Sequence, residues 1–235
     1  MTVHIGGFQK NSLIDFPGTF ACVVFTSGCN FTCPYCHNPE LAAGPVNGAG
    51  CMNTSDIFSF LSKRKGWVDG VVITGGEPCL QADLTDFIQQ IKHMGLAVKL
   101  DTNGSHPTVL SHLLDHSLVD YVAMDIKTGP DRYPEIMKSP PATDVISRSI
   151  RLIMASAPDY EFRTTCVRPF INASVMKQIA GQIKGAKRYV LQKCVREVPM
   201  LDPQFSEKSD HFFSDQEIME LKSIVEGTVR EIRVR

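Results

Sequence analysis

One stretch of this chain decides how the rest is interpreted: Gly28-Cys29-Asn30-Phe31-Thr32-Cys33-Pro34-Tyr35-Cys36-His37-Asn38-Pro39, in which three cysteines have the spacing C-x3-C-x2-C. Three thiolates on one short loop can bind three irons of a [4Fe–4S] cluster and leave the fourth iron open to a small molecule. Two alternatives remain. In a zinc site, His37 would supply the fourth ligand from an awkward position directly after Cys36. A redox pair of Cys33 and Cys36 would leave Cys29 unexplained.

The composition is that of an ordinary globular protein, with 43% hydrophobic and 21% charged residues in a chain of 235, which allows a sizeable core. The formal net charge of -1 offers no clustered positive field, so neither nucleic acid nor an anionic membrane is expected as a partner. No run of about 18 apolar residues predicts a membrane span, and the first residues lack a signal-peptide pattern. We therefore expect a cytoplasmic protein, in which clustered cysteines indicate metal binding or catalysis.

Short apolar runs rich in β-branched residues alternate with segments of helical periodicity. The runs predict strands at Phe20–Thr26, Gly70–Thr74, Ala97–Asp101, Val119–Ile126, Tyr160–Thr165, Tyr189–Gln192 and Glu231–Val234. The helical spacing predicts helices around residues 57–61, 84–91, 110–114, 150–154, 176–183 and 218–225. Two segments, 44–53 and 130–142, are rich in Gly, Asn or Pro and are expected to be loops.

Strand–helix alternation repeated about six times implies an α/β fold with a mostly parallel sheet and right-handed crossovers. A doubly wound sheet and a barrel-like curved sheet both fit this pattern, whereas six units are too few for a complete eight-unit barrel. No internal repeat or long linker divides the sequence, so we expect one domain over residues 1–235. In either architecture, ligands bind at the carboxyl ends of the strands.

Polar motifs follow three of the predicted strands: Gly75-Gly76-Glu77-Pro78, Asp101-Thr102-Asn103-Gly104 and Met124-Asp125-Ile126-Lys127. Each has a purely structural alternative, namely a turn, an Asn-Gly turn with a helix cap, and an ion pair at the mouth of the sheet. Glycines let other groups approach the backbone closely, and residues two apart in a strand face the same side. Arg163 and Gln192 lie on later strands, but the sequence does not decide which side of the sheet they face.

The cysteine spacing, with an aromatic residue before the last cysteine, resembles that of the radical S-adenosylmethionine superfamily. The resemblance extends along most of the chain, through the same motifs in the same order: Gly7-Phe8-Gln9-Lys10, the cysteine loop, the Gly-Gly-Glu-Pro motif, the Asp-Thr-Asn-Gly motif and the Met-Asp-Ile-Lys motif. Within that superfamily it is similar to the glycyl-radical-enzyme activases, and most of all to the activating proteins of anaerobic ribonucleoside-triphosphate reductase. The fold that this resemblance implies is a partial (β/α)6 barrel.

The resemblance also implies the cofactors and the residues that hold them. An open iron of a [4Fe–4S] cluster would bind S-adenosylmethionine, and its reductive cleavage would yield a 5′-deoxyadenosyl radical that takes a hydrogen atom. Cys29, Cys33 and Cys36 would be the catalytic cluster ligands. The implied cofactor-binding residues are Tyr35, Gly75, Gly76, Glu77, Asp101, Asn103, Asp125 and Lys127. In related activases the regions of Asp101 and Asp125 also build a monovalent-cation site.

The other five cysteines are scattered, and we expect them to be small buried hydrophobic residues: Cys22, Cys51, Cys79, Cys166 and Cys194. Some relatives carry a second cluster region with several cysteines after the first motif. This sequence has a short segment there with Cys51 alone. The resemblance therefore implies one cluster only.

Three functions compete at this point. The resemblance favours an activase whose partner is a glycyl-radical enzyme, and anaerobic ribonucleoside-triphosphate reductase is the partner expected first. It also implies an electron donor, such as flavodoxin or ferredoxin, that reduces the cluster. The compact chain agrees with it, since little added material is present to enclose a small substrate. A radical enzyme acting on a small molecule is the alternative, and a non-catalytic iron–sulfur or zinc protein is the third.

Overall fold

The computed structural model describes residues 3–44, 52–139 and 144–235. One sheet organises them, and its strands follow each other in space in the same order as in the chain. The strands are β1 (Ile5–Ser12), β2 (Ala21–Thr26), β3 (Gly70–Gly75), β4 (Ala97–Thr102), β5 (Tyr121–Asp125), β6 (Tyr160–Cys166), β7 (Arg188–Lys193) and β8 (Glu231–Val234).

The order of the strands decides between the two architectures that the sequence left open. β1 is antiparallel to β2, and every later neighbour pair from β2 to β8 is parallel. Because the strand order never reverses, right-handed crossovers place every connecting helix on the same face of the sheet. The sheet is therefore wound in one direction, as in a partial barrel, and is not doubly wound.

Helices connect the parallel strands: α1 (Pro39–Ala43), α2 (Thr54–Lys63), α3 (Leu84–His93), α4 (Pro107–Asp115), α5 (Val145–Ser156), α6 (Ala173–Gln182), α7 (Pro203–Glu207) and α8 (Asp215–Val225). Local sequence fixes their ends. The side chain of Ser214 caps α8, and the Glu217 side chain completes the capping box. Gly95 follows α3 with a φ of 81°, a left-handed conformation that favours glycine.

The two faces of the sheet bury different kinds of residue. Cys22 and Val24 belong to the large apolar core that includes the helices, whereas the alternate residues Ala21 and Val23 belong to a small second cluster. This alternation follows from the pleat of a strand, which sends successive side chains to opposite faces. Phe16, from the β1–β2 connection, is part of the second cluster. The main core therefore lies between sheet and helices, and the inner face is free to carry polar groups further along the strands.

The structure departs from the sequence-based prediction in several described segments, among them the short helices α1 and α7, which were not predicted. β1 was not predicted, because Gly6, Gly7 and a polar stretch after them give no alternating apolar pattern. Residues 130–135, expected to be a loop, form a 3-10 helix (Pro130–Glu135). Cys51 and most of the predicted loop 44–53 lie outside the described residues, as do residues 140–143. Within the described ranges, no helix is both long and apolar enough to cross a membrane.

The carboxyl ends of β2 and β3 lie so close together that Gly76 cannot carry a side chain. The Gly76 amide donates to the Thr26 carbonyl at 2.9 Å, and the Glu77 amide donates to the Gly28 carbonyl at 2.8 Å. A Cβ atom on Gly76 would fall within 3.0 Å of the Gly28 carbonyl group, which is backbone and cannot rotate away. The cysteine loop therefore starts from a fixed position against the end of β3.

We expect Gly76→Ala to lower the free energy of unfolding by about 3 kcal/mol, the upper end for overpacking a tight site. Gly181→Ala is the matched control, because Gly181 lies in α6 with no atom within 4 Å of the added Cβ. That change should raise stability by about 0.5–1 kcal/mol, as alanine usually does in a helix. Urea unfolding of the metal-free protein measures both, and equal stability of the two variants would contradict the packing interpretation.

Candidate active site

The cysteine loop follows β2 and forms one wall of a cavity of about 270 Å³ at the carboxyl ends of the parallel strands. Cys29, Cys33 and Cys36 all line it. The opposite wall is built from the ends of the strands. Every predicted site residue except Glu77 lines this cavity: Cys29, Cys33, Tyr35, Cys36, Gly75, Gly76, Asp101, Asn103, Asp125 and Lys127. Arg163 and Gln192, whose direction the sequence left open, line it as well.

Backbone hydrogen bonds tie the cysteine loop to the C-terminal part of the chain. The amide of Leu201 donates to the carbonyl of Cys36 at 3.0 Å, and the amide of Asp202 donates to the carbonyl of Pro34 at 3.0 Å. Such bonds satisfy carbonyl groups that a loop would otherwise leave without donors. The connection between β7 and α7 therefore positions the last two cysteines of the motif.

A second set of bonds holds the first half of the loop. The amide of Thr32 donates to the carbonyl of Ile136 at 2.7 Å, and the amide of Lys138 donates to the carbonyl of Asn30 at 3.0 Å. The ammonium group of Lys138 also bonds to the carbonyl of Cys29 at 2.8 Å. The segment after β5 thus supports the first half of the loop, in addition to the support that the β7–α7 connection gives to the second half.

Tyr35 is buried in an aromatic contact beside the cysteines. Its ring centroid lies 5.6 Å from that of Phe170 and 5.9 Å from that of Phe205, and only 4% of the residue is exposed. Its buried hydroxyl makes no well-formed hydrogen bond among the described residues, although it interacts with the Cys33 side chain. A buried hydroxyl without a partner costs free energy unless a ligand satisfies it. The packing role of Tyr35 is therefore evident, and its contact with the cofactor stays a prediction.

Glu77 is held by hydrogen bonds where the ends of β3 and β4 meet. It is fully buried, and its carboxylate accepts from the Cys79 amide at 3.0 Å, the Thr102 hydroxyl at 2.8 Å and the Asn103 amide at 2.7 Å. Burial raises the pKa of this carboxyl above its usual range. Glu77 is not among the residues that line the cavity, and its contact with the cofactor stays a prediction. In the structure it fixes the end of β4 against the end of β3.

A network of charged side chains lies across the inner face of β4, β5 and β6. Arg163 bonds to both carboxylates, with Nη1 3.2 Å from Asp101 and Nε 2.8 Å from Asp125. Lys99 lies 2.5 Å from Asp101, and Lys127 lies 3.0 Å from Asp125. Three cations thus contact two carboxylates, and Lys127 and Arg163 of this network also line the cavity.

The pKa values of this network follow from its pairing. Burial alone would raise the pKa of Asp125, but Arg163 and Lys127 outweigh it and hold the pKa below its usual range. The pKa of Asp101 is lowered in the same way, against burial, by Arg163 and Lys99. Both carboxylates are therefore charged at neutral pH. The ion pair that was the structural alternative for the Met-Asp-Ile-Lys motif is thus present, between Asp125 and Lys127. It belongs to a larger network than the motif alone predicts.

Cys29 and Cys33 differ from the network because burial favours their neutral thiols. Burial raises the pKa of Cys33 to about 11 and also raises the pKa of Cys29. Ligation requires thiolates, so loading a cluster has to release protons from these thiols. In the described residues no three His, Cys, Asp or Glu side chains are grouped to hold a single metal ion. A cluster, which spreads its ligands over several irons, does not need such a group.

Some residues of the site were not predicted from the sequence. Asn30 and Asn38 flank the cysteines, and Thr74 donates from its hydroxyl to Asp101 at 3.2 Å. His37 lines the cavity, and its Nε2 lies 3.5 Å from the thiol of Cys194. Thr74 could have been identified from the sequence, because it lies at the end of a predicted strand, directly before the glycines. For the others only proximity to the cysteines pointed to the site.

The remaining described cysteines are buried and unbridged, as expected for small hydrophobic residues: Cys22, Cys79, Cys166 and Cys194. The residues at the cavity fit a [4Fe–4S] cluster with a cofactor beside it. Three thiols on one loop line the wall, no fourth cysteine does so among the described residues, and the hydroxyl of Tyr35 makes no well-formed hydrogen bond there. A site with three cysteine ligands leaves one iron free for a small molecule.

Comparison with known proteins agrees with this fit. The family model described as the radical SAM superfamily matches residues 23–170. A Methanocaldococcus jannaschii protein, provisionally named a glycyl-radical enzyme activating enzyme, is 32% identical over 99% of this chain and 91% of its own length. The pyruvate formate-lyase-activating enzyme of Clostridium pasteurianum is 32% identical over 54% of each chain.

Solved structures share the fold. SuiB of Streptococcus suis, determined with S-adenosylmethionine bound, superposes with a TM-score of 0.64 over 88% of this chain at 14% identity. The matched region is 48% of the SuiB chain, so this chain spans about half the length of that neighbour. The family match and the full-length relative are sufficient to assign the chain. It belongs to the radical SAM superfamily, which implies an enzyme that uses a [4Fe–4S] cluster and S-adenosylmethionine.

Proposed function

We propose that this protein is a glycyl-radical-enzyme activase that takes a hydrogen atom from a glycine of anaerobic ribonucleoside-triphosphate reductase. The observation that carries the proposal is the likeness to the Methanocaldococcus jannaschii activating enzyme, which covers 99% of this chain and 91% of that protein. An electron donor such as flavodoxin or ferredoxin would supply the electron. The proposal treats residues 1–235 as one domain, in line with the single sheet of the described residues.

In this proposal Cys29, Cys33 and Cys36 hold the cluster. The cluster and S-adenosylmethionine, when bound, supply reductive cleavage to a 5′-deoxyadenosyl radical. The protein binds the two groups side by side, excludes water from them and orients the cofactor. Gly75 and Gly76 present backbone to the cavity, and Tyr35 adds a buried hydroxyl.

The charged network suits the carboxylate of the cofactor better than a metal ion. Lys127 and Arg163 line the cavity and are the cationic side chains available to that carboxylate. Asp101 and Asp125 already pair with Lys99, Lys127 and Arg163, so a monovalent cation there would compete with three resident cations. We therefore leave the cation out of the proposal and assign the cofactor carboxylate to Lys127 and Arg163.

A protein substrate needs an open path to the cavity. The edge strands β1 and β8 do not pair with each other in the described part of the chain, so the sheet does not close into a complete barrel. This open edge supports the proposal that an extended loop of a partner protein, which presents a glycine, is the substrate.

The test uses the reconstituted protein under anaerobic conditions with S-adenosylmethionine, sodium dithionite and the same organism's anaerobic ribonucleoside-triphosphate reductase. We expect an electron paramagnetic resonance doublet of a glycyl radical on the reductase, together with 5′-deoxyadenosine in the same tube. The Cys33→Ala protein is the control and should give neither. Absence of both products with the wild-type protein, when its cluster is fully loaded, would overturn the proposed activity.

The alternative is a radical enzyme that acts on a small molecule. A Halobacterium salinarum protein, provisionally named a GTP 3′,8-cyclase, is 38% identical over 122 residues, which are 50% of this chain and 34% of that protein. This match covers much less than that of the activating enzyme. Formation of 5′-deoxyadenosine without a glycyl doublet, on the reductase or on other glycyl-radical enzymes, would favour the alternative.

A further inference from the structure

Three side chains join the cysteine loop to the β4–α4 connection in a closed ring of hydrogen bonds. The Nδ2 atom of Asn103 lies 2.9 Å from Oδ1 of Asn30, and Nδ2 of Asn30 lies 2.9 Å from the hydroxyl of Ser105. The ring is completed by the Ser105 hydroxyl, 2.5 Å from Oδ1 of Asn103. None of the three side chains is exposed. The ring therefore links Asn30, the residue directly after the first cysteine, to the segment that follows β4.

The direction of every bond in the ring is determined by one backbone group. The amide N–H of Ser105, which can only donate, lies 2.9 Å from Oδ1 of Asn103. That atom is therefore the carbonyl oxygen, and Nδ2 of Asn103 faces Asn30. Oδ1 of Asn30 must then accept, its own Nδ2 donates to Ser105, and the Ser105 hydroxyl donates back to Asn103. Rotating either amide would set two donors or two acceptors against each other.

The ring leaves one N–H of Asn103 for the first cysteine. Nδ2 carries two hydrogens, of which one goes to Asn30, and the same nitrogen lies 4.0 Å from Sγ of Cys29. The amide of Phe31 approaches this sulfur to 3.4 Å. A distance of 4.0 Å is long for a neutral thiol, but a cluster-bound thiolate is charged and attracts donors more strongly.

The backbone of Asn103 is held as firmly as its side chain. Its amide donates to the buried carboxylate of Glu77 at 2.7 Å, and only 6% of Asn103 is exposed. Glu77 thus sets the position of Asn103, while Asn30 and Ser105 set the orientation of its amide. An arrangement this constrained specifies which atom of Asn103 faces Cys29.

We propose that Asn103 is a positioning residue for the cluster, whose amide donates to the Cys29 thiolate and raises the reduction potential of the cluster. Hydrogen bonds to the sulfurs are among the features that set such potentials. Reduction adds negative charge, which an N–H directed at sulfur stabilises more in the reduced than in the oxidised state. The inference rests on the cluster of the proposed function and is independent of the partner protein.

The test is a redox titration of the loaded protein with sodium dithionite, followed by the electron paramagnetic resonance signal of the reduced cluster, without S-adenosylmethionine. Asn103→Ala should lower the equilibrium constant for one-electron reduction about tenfold, which corresponds to about 59 mV toward more negative potential. Asn30→Ala keeps the donor but frees it to rotate, so we expect a smaller shift in the same direction. Asn38→Ala is the matched control, an asparagine of the same loop and cavity without a hydrogen bond to Cys29 among the described residues, and should leave the potential unchanged.

An unchanged potential in both Asn103→Ala and Asn30→Ala, at normal iron content, would overturn the inference and leave the activase proposal standing. An equal shift in Asn38→Ala would also overturn it, since any change in the cavity would then have the same effect. If Asn103→Ala fails to load a cluster, the comparison of Asn30→Ala with Asn38→Ala decides. A wild-type protein that binds no cluster would instead refute the proposed function itself.

Discussion

Cys33→Ala is expected to abolish binding of the [4Fe–4S] cluster. Cys33 is buried and lines the cavity between the other two cysteines of the motif. With it removed, two thiolates remain, and two irons of the cluster lack a protein ligand. Iron and acid-labile sulfide per protein after anaerobic reconstitution measure the effect, and both should fall close to zero. Cys29→Ala and Cys36→Ala should behave alike.

Cys166→Ala is the matched control for this experiment. Cys166 is also buried, with 1% exposed, but it lies on β6 and does not line the cavity. Its loss should cost some stability through the removed sulfur and leave the iron content unchanged. Normal iron content in Cys33→Ala would refute the ligand assignment, and loss of iron in Cys166→Ala would indicate that any damage to the core releases the cluster.

Arg163→Met is expected to lower the free energy of unfolding of the metal-free protein by about 3 kcal/mol, the order found when one partner of a buried ion pair is removed. Arg163 is 12% exposed and bonds to both Asp101 and Asp125. Methionine preserves much of the volume but leaves each carboxylate with a single lysine. Urea unfolding at neutral pH gives the measurement.

Arg151→Met provides the comparison for Arg163. Arg151 pairs with Asp144 at 3.8 Å, but their side chains are 70% and 61% exposed. An exposed pair of this kind contributes little, so we expect a change within about 0.5 kcal/mol. If Arg163→Met were no more harmful than Arg151→Met, the inner network would not be a source of stability.

The sequence predicted the parallel strands well because they are covered on one face by helices and on the other by an inner cluster. Val71-Val72-Ile73 in β3 carries that continuous apolar pattern, whereas β6 alternates Tyr160 and Phe162 with charged residues, and both strands begin where predicted. β1 was missed because an edge strand with two glycines lacks the pattern. The order of the strands could not be read from periodicity, which is a local property, whereas strand order is set by pairing between distant segments.

The site was predicted as a set of residues but not as an arrangement. The cysteine spacing and the strand-end motifs identified ten of the residues that line the cavity. Sequence could not reveal that Glu77 accepts from the Asn103 amide, because a carboxylate suits a ligand and a backbone amide equally. Nor could the sequence decide that Arg163 points inward. Side chains alternate between the two faces of a strand, but this alternation does not say which face is the inner one.

The hydrogen bonds from Leu201 and Asp202 to the cysteine loop determine how much of the chain would have to be moved to transfer the site to another protein. The matched family region ends at residue 170, and all three predicted ligands lie within it. Two carbonyl groups of the loop, at Pro34 and Cys36, nevertheless receive their donors from beyond residue 200. A graft of the family region alone into another protein would carry every ligand and lack part of their support. A unit exchanged between relatives that keeps these two bonds therefore extends at least through Asp202, the residue directly before α7.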